Sequence, residues 1–108
     1  MKENFGEYIR KLRKQKKYTL TQLAAKLGID SGALSKIENS KRKLDEKLLP
    51  ILADIFDLDL ETIKDEYISE KIAFTIYENG CTDRVYKLAE QKVKYIKQTK
   101  VKQGKLEL

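Results

Sequence analysis

The sequence predicts an all-α protein, and three features carry that expectation. Apolar residues recur every three or four positions, no segment alternates apolar with polar residues, and the helix breakers amount to five Gly and Pro50 in 108 residues. A chain of this length fits one compact domain, or a small domain with an appendage. Hydrophobic residues make up 41% and charged residues 37%, so a core can form beneath an unusually charged surface.

Phe5, Tyr8, Ile9 and Leu12 fall on one helical face, and the run Lys14-Gln15-Lys16-Lys17 ends the pattern. A capping box of Thr19 with Gln22 opens a second, short helix, whose apolar face is Leu20, Leu23, Ala24 and Leu27 and whose stop is Gly28. Asp30 caps a third helix running to about Asn39, with Ile29 and Leu34 at staple spacing. A fourth helix is expected near Asp45, burying Leu48, Leu49, Ile51, Leu52, Ile55 and Phe56. Pro50 requires it to start later or to kink. Asp59 caps a fifth helix, about 60–79, ended by a left-handed stop at Asn79-Gly80. Thr82 or Asp83 starts a sixth, with Val85, Leu88, Ala89, Val93 and Ile96 on one face, and from Gln98 the polar tail is expected to fray.

Charge is segregated along the chain. Residues 1–43 carry 12 basic and 4 acidic side chains, residues 44–79 carry 3 and 10, and residues 80–108 carry 8 and 3. A basic N-terminal block beside an acidic middle suits a molecule with one face for polyanions. With no His and a single Cys, zinc fingers, disulfide frameworks and Cys-His catalysis are excluded, and no cofactor is expected. No apolar run approaches a membrane span and no secretion signal follows the first charges, so a cytoplasmic protein without membrane contact is expected.

The segment TLTQLAAKLGIDSGALSKIENSKRK, Thr19 to Lys43, resembles the helix-turn-helix of the Xre family of lambda-repressor-like and Cro-like domains, and the resemblance extends over roughly residues 5–68. Matching residues include Phe5-Gly6, Ile9-Arg10, Leu12-Arg13, Thr19, Leu23-Ala24, Leu27-Gly28 and Leu34-Ser35-Lys36-Ile37-Glu38-Asn39. The fold implied is a lambda-repressor-like five-helix domain, here followed by a C-terminal helical extension. Physically, two short helices joined by a Gly turn can set the second in the major groove while the first crosses the phosphates.

With Leu34 and Ile37 facing inward, helical spacing turns Ser31, Gly32, Ser35 and Lys36 outward as candidate base readers. Lys36 can donate to guanine, and Ala33 could at most touch a thymine methyl. The resemblance implies phosphate contacts from Thr19, Asn39 and the loop Lys41-Arg42-Lys43, and a buried pair between Arg13 and Glu38. Two departures stand out. Leu20 replaces a Gln that often contacts phosphate, and Ser40 replaces the Gly that usually follows Asn, so a differently shaped exit from the third helix is expected.

Cys81 reads as an ordinary buried or half-buried residue, and Tyr67, Tyr77, Tyr86 and Tyr95 as core or dimer packing. The pairs Asp45-Glu46 and Asp65-Glu66 point apart on helices and read as solvated charges. The expected protein is a non-enzymatic transcriptional regulator that binds double-stranded DNA as a homodimer. Its regions are 1–68 for DNA, 69–99 for self-association through the stripe Ile68, Ile72 and Ile76, and 100–108 as a flexible tail. The whole-chain pattern is similar to small bacterial regulators associated with restriction-modification systems. The alternative is an antitoxin-like module whose C-terminal helices bind a partner protein.

Overall fold

A computed structural model describes the backbone of residues 3–107 and the side chains of residues 3–100. All regular structure among these residues is helical: α1 Phe5–Gln15, α2 Leu20–Leu27, α3 Ser31–Glu38, a single 3-10 turn Glu46–Leu48, α4 Leu49–Ile55, α5 Leu60–Glu78 and α6 Arg84–Glu107. The backbone separates into one unit through Ile72 and a second from Ala73. The boundary expected after residue 68 lies one turn earlier on the same helix.

Side-chain caps set where the first three helices begin. Asn4 accepts from Glu7 N–H at 2.8 Å while Glu7 accepts from Asn4 N–H at 3.1 Å, a capping box absent from the sequence reading. Thr19 and Gln22 form the expected box at 3.1 and 2.9 Å, and Asp30 accepts from Ala33 N–H at 2.7 Å. Pro50 is accommodated by a late start. Asp45 caps the 3-10 turn through Lys47 N–H, and Pro50 falls in the first turn of α4, where no intrahelical N–H is required.

Helix ends share one geometry. In α1 to α5 the chain leaves through a left-handed residue, and two N–H groups close back on the last turn, as in Cys81 to the Ile76 carbonyl and Gly80 to that of Tyr77. Gly28 and Gly80 take this position in α2 and α5, but Lys17, Ser40 and Asp57 take it in α1, α3 and α4 at φ 61°, 61° and 55°. The expectation of a different exit after Asn39 is therefore corrected. Ser40 adopts the conformation itself, with Lys41 N–H bonded to the Lys36 carbonyl at 2.8 Å.

The N-terminal unit closes over one core. Ile9, Leu23, Leu34, Leu49, Leu52 and Ile63 are fully enclosed, with Phe5, Leu27, Ile37, Leu44, Phe56 and Tyr67 around them. The Tyr67 hydroxyl donates to the Leu44 carbonyl at 2.7 Å, and its ring meets Phe5 edge-on at 5.2 Å. Glu70 on α5 accepts from Phe5 N–H at 2.7 Å and so ties α5 to the start of α1. Ile51 does not join the core as expected, because α4 turns Leu49, Leu52, Ala53 and Phe56 inward and helical spacing puts Ile51 on the opposite side.

In the C-terminal unit, α6 continues to Glu107, past the end expected near Gln98; the Lys, Gln and Glu of this stretch are good helix formers. The side chains of the expected tail beyond residue 100 lie outside the described residues. Phe74, Tyr77, Tyr86, Val93, Tyr95 and Ile96 are exposed. Cys81 is exposed as well, correcting the expectation of a buried or half-buried thiol. No helix among the described residues is long and apolar enough to cross a membrane.

Candidate nucleic-acid interface

Helices α2 and α3 are joined by three residues, Gly28-Ile29-Asp30. Gly28 stops α2 at φ 75°, Ile29 packs partly buried on the core, and Asp30 caps α3. The inner face of α3 is Ala33, Leu34, Ile37 and Glu38, all buried. Ser31, Gly32 and Lys36 are consequently exposed and Ser35 half-buried. Ala33, only 8% exposed, is withdrawn from any thymine contact.

A charge network fixes the end of α3 to α1. Arg13 donates to Glu38 from Nε to Oε2 at 2.8 Å and from Nη2 to Oε1 at 3.0 Å, a two-point fork on a carboxylate only 2% exposed. A third donor of Arg13, Nη1, reaches the Tyr18 carbonyl at 3.0 Å. Its hydrogen bonds to Glu38 raise the Arg13 pKa above its ordinary value, outweighing the opposing effect of burial. Arg10, which the sequence reading gave no role, adds a contact to Glu38 Oε1 at 3.3 Å and another to Asn39 Oδ1 at 2.7 Å. Its position three residues before Arg13, on the same face of α1, was the available signal.

Gly6 is a second contributor whose role the sequence did not reveal. A Cβ there would lie 2.4 Å from the Ile37 carbonyl oxygen and 2.7 Å from that of Glu38, so only Gly lets α1 touch the end of α3. No buried side-chain nitrogen or oxygen among the described residues lacks a hydrogen-bond partner.

The remaining candidates surround this scaffold. Thr19 Oγ1 accepts from Gln22 N–H, which leaves its hydroxyl proton for a phosphate oxygen. Asn39 is exposed, but its amide nitrogen already donates to the Ser35 carbonyl at 2.9 Å and to Ser35 Oγ at 3.5 Å, and its oxygen accepts from Arg10. Lys41, Arg42 and Lys43 are all exposed in the loop after α3. Leu20, standing where a phosphate-contacting Gln is common, packs half-buried on the core instead. The stripe expected for self-association is divided: Ile68 packs against the core of its own unit, Ile72 is 54% exposed, and Ile76 is half-buried.

Two short helices around a Gly turn, the second outward-facing and buttressed by a buried ion pair, define a helix-turn-helix protein. A family model described as Helix-turn-helix matches residues 9–63, half of the chain, and the chain belongs to that family. It is 48% identical over 40 residues to the HTH-type transcriptional repressor RghR of Bacillus subtilis (strain 168), a match covering 37% of this chain and 30% of that protein. It is 37% identical over 68 residues to the HTH-type transcriptional regulator YqaE of the same strain, covering 63% and 59%. The chain thus spans less than two thirds of the curated relatives it matches.

Among solved structures, it is similar to the crystal structure of SinR, master regulator for biofilm formation, in complex with DNA. The TM-score is 0.50 at 31% identity, over 56% of this chain and 98% of that one. A chain of a SinR/SinI protein complex is matched over 87% of this chain and 98% of its own length, with TM-score 0.51 and 25% identity.

Proposed function

We propose that this chain is a sequence-specific transcription regulator that binds double-stranded DNA as a homodimer in the cytoplasm. The carrying observation is the outward face of α3. Ser31, Gly32 and Lys36 stand exposed on a helix locked from behind by Arg13 and Glu38, with Lys41, Arg42 and Lys43 following. Lys36 and the two Ser side chains read base edges, while Thr19, Asn39 and the loop cations hold phosphates. Residues 1–68 bind DNA, and residues 69–99 pair with a second copy through Ile72 and the apolar side chains of α6, leaving 100–108 outside both tasks. Similarity to a DNA-bound SinR domain supports the first assignment.

Control of a restriction-modification operon is the narrower assignment carried by the whole-chain sequence resemblance. One experiment tests the DNA reading: enrichment of duplexes from a random-sequence pool by the full chain, followed by gel shifts on the DNA upstream of its own gene. Failure to enrich any duplex overturns the DNA reading. A retarded band on random DNA alone overturns sequence specificity.

A second reading has its own observation. The C-terminal unit exposes Phe74, Tyr77 and Tyr95, and the match that extends into it is to a chain of the SinR/SinI protein complex. On this reading those residues hold a different protein, in the manner of an antitoxin, and the purified chain is a monomer in light scattering.

A further inference from the structure

Of the two guanidinium groups behind α3, one is spent and the other is not. Arg13, with its side chain 12% exposed, uses all three nitrogens, two on Glu38 and one on the Tyr18 carbonyl. Arg10 uses a single edge. Its Nε donates to Glu38 Oε1 at 3.3 Å, and its Nη2 to Asn39 Oδ1 at 2.7 Å and to the Glu38 carbonyl at 3.5 Å. Among the described residues its Nη1 has no hydrogen-bond partner, and the side chain is 36% exposed. Folding explains the bound edge, while the free edge makes no polar contact within the fold.

Charge leads to the same place. Arg10 and Arg13 share one carboxylate, so the cluster carries one positive charge in excess, and the excess sits on the exposed member. Glu7, one turn earlier on α1, is turned back on the Asn4 N–H. The exposed Lys41, Arg42 and Lys43 follow Asn39 in the chain, so the local field favours an anion. A guanidinium already pinned at Nε and Nη2 has less freedom to lose on meeting a phosphate than a loop lysine has. Resting on the reading of this unit as a DNA-binding domain, we propose that Arg10 is a phosphate ligand, its Nη1 edge donating to one backbone oxygen beside the end of α3. The contact carries no sequence information. It fixes where the helix-turn-helix sits along the strand.

The test is a cycle between protein and DNA. Wild type, Arg10→Ala, Arg10→Gln and Asn39→Ala, as full chains, are titrated on a duplex enriched from a random pool by the wild type and on copies of it with a neutral methylphosphonate at one phosphate at a time. On the unmodified duplex both Arg10 variants should bind about tenfold more weakly, with the slope of log affinity against log salt lowered by about 0.9 per chain bound. At one phosphate per half-site the methylphosphonate should weaken wild type and Asn39→Ala but leave the Arg10 variants unchanged. If every modification costs the Arg10 variants as much as it costs wild type, Arg10 is structural only and the proposal is overturned. A coupling that disappears in Asn39→Ala overturns it too, since Arg10 would then act only by holding Asn39. Titrations are run at a temperature where thermal melts show the variants folded, and Arg10→Gln, whose amide can still donate to Glu38, decides the matter if Arg10→Ala is unfolded there. If the wild type enriches no duplex, the DNA reading itself has failed and this proposal with it.

Discussion

Arg13 grips both oxygens of the Glu38 carboxylate, at 2.8 and 3.0 Å, and with side-chain exposures of 12% and 2% the pair is largely withdrawn from water. Such a pair stabilises little relative to an apolar replacement, yet removing one partner strands the other charge, at a cost of about 3 to 5 kcal/mol. Glu38→Ala and Arg13→Ala should therefore both lower the melting temperature strongly. Arg10→Ala should cost less, because Arg10 is 36% exposed and Arg13 still compensates Glu38. Lys14→Ala, at an exposed site, should barely register. Thermal melts of the four variants check the order; equal losses for Glu38→Ala and Lys14→Ala would refute it.

Gly6→Ala should act on the same joint from the other side. Its methyl group meets backbone, which cannot swing away, so α1 and the end of α3 must separate. Destabilisation of about 1 to 3 kcal/mol is expected, as for other overpacked cores. A variant that melts with the wild type would show that α1 slides without penalty.

Helix ends offer changes of the opposite sign. Lys17 and Ser40 hold left-handed conformations that cost an L-residue roughly 1 to 2 kcal/mol, partly offset by the extra freedom Gly has when unfolded. Lys17→Gly and Ser40→Gly should each stabilise by about 0.5 to 1 kcal/mol, and Asp57→Gly by less, since Asp tolerates this region better. Denaturant titration is sensitive enough to decide. No gain at Lys17 or Ser40 would mean that their side chains make up the difference elsewhere.

These residues also mark what the sequence could and could not reveal. Periodicity and capping placed the six helices, because Thr19-Gln22, Asp30 and Asn79-Gly80 act within one turn of themselves. Glu38 was legible only through the resemblance, since nothing local requires a carboxylate on a buried face. Arg10 and Gly6 escaped because their partners lie about 30 residues away. Ile51 lies opposite the buried Leu49, Leu52 and Ala53 of α4, and Ala33 lies one turn before Ile37 on the buried face of α3, so in these short helices one position decides between core and surface. Ser40 misled because the left-handed state is costly for Ser but not forbidden to it.

Self-association should follow the division of the Ile stripe. Ile68→Asp places a charge against the core of its own unit and should lower the melting temperature. Ile72→Asp alters an exposed position and should leave the fold intact while converting dimer to monomer. Light scattering at tens of micromolar, set beside a melt, separates the two effects. A wild-type monomer at that concentration would remove the homodimer and favour the second-protein reading.

Reading bases and holding phosphates should separate on the two sides of Asn39. Lys36 stands on the exposed face of α3, so Lys36→Ala should cost roughly 1 to 3 kcal/mol on the enriched duplex and flatten discrimination at one base pair per half-site. Its loss on random DNA should be much smaller. Arg42 is exposed in the following loop and, on the proposed reading, neutralises phosphate whatever the sequence, so Arg42→Ala should weaken binding to both duplexes alike. Each phosphate contact removed should also lower the slope of log affinity against log salt by about 0.9, doubled in a symmetric dimer. With Ala33 buried and Ser35 half-buried, each copy of α3 offers few donors, so half-sites should be spaced by about one helical turn, ~10 base pairs, and a single half-site should bind poorly. Titrations of both variants on enriched and random duplexes at several salt concentrations give the answer. Identical losses for Lys36→Ala and Arg42→Ala on every duplex would mean that α3 carries charge to the DNA without reading it.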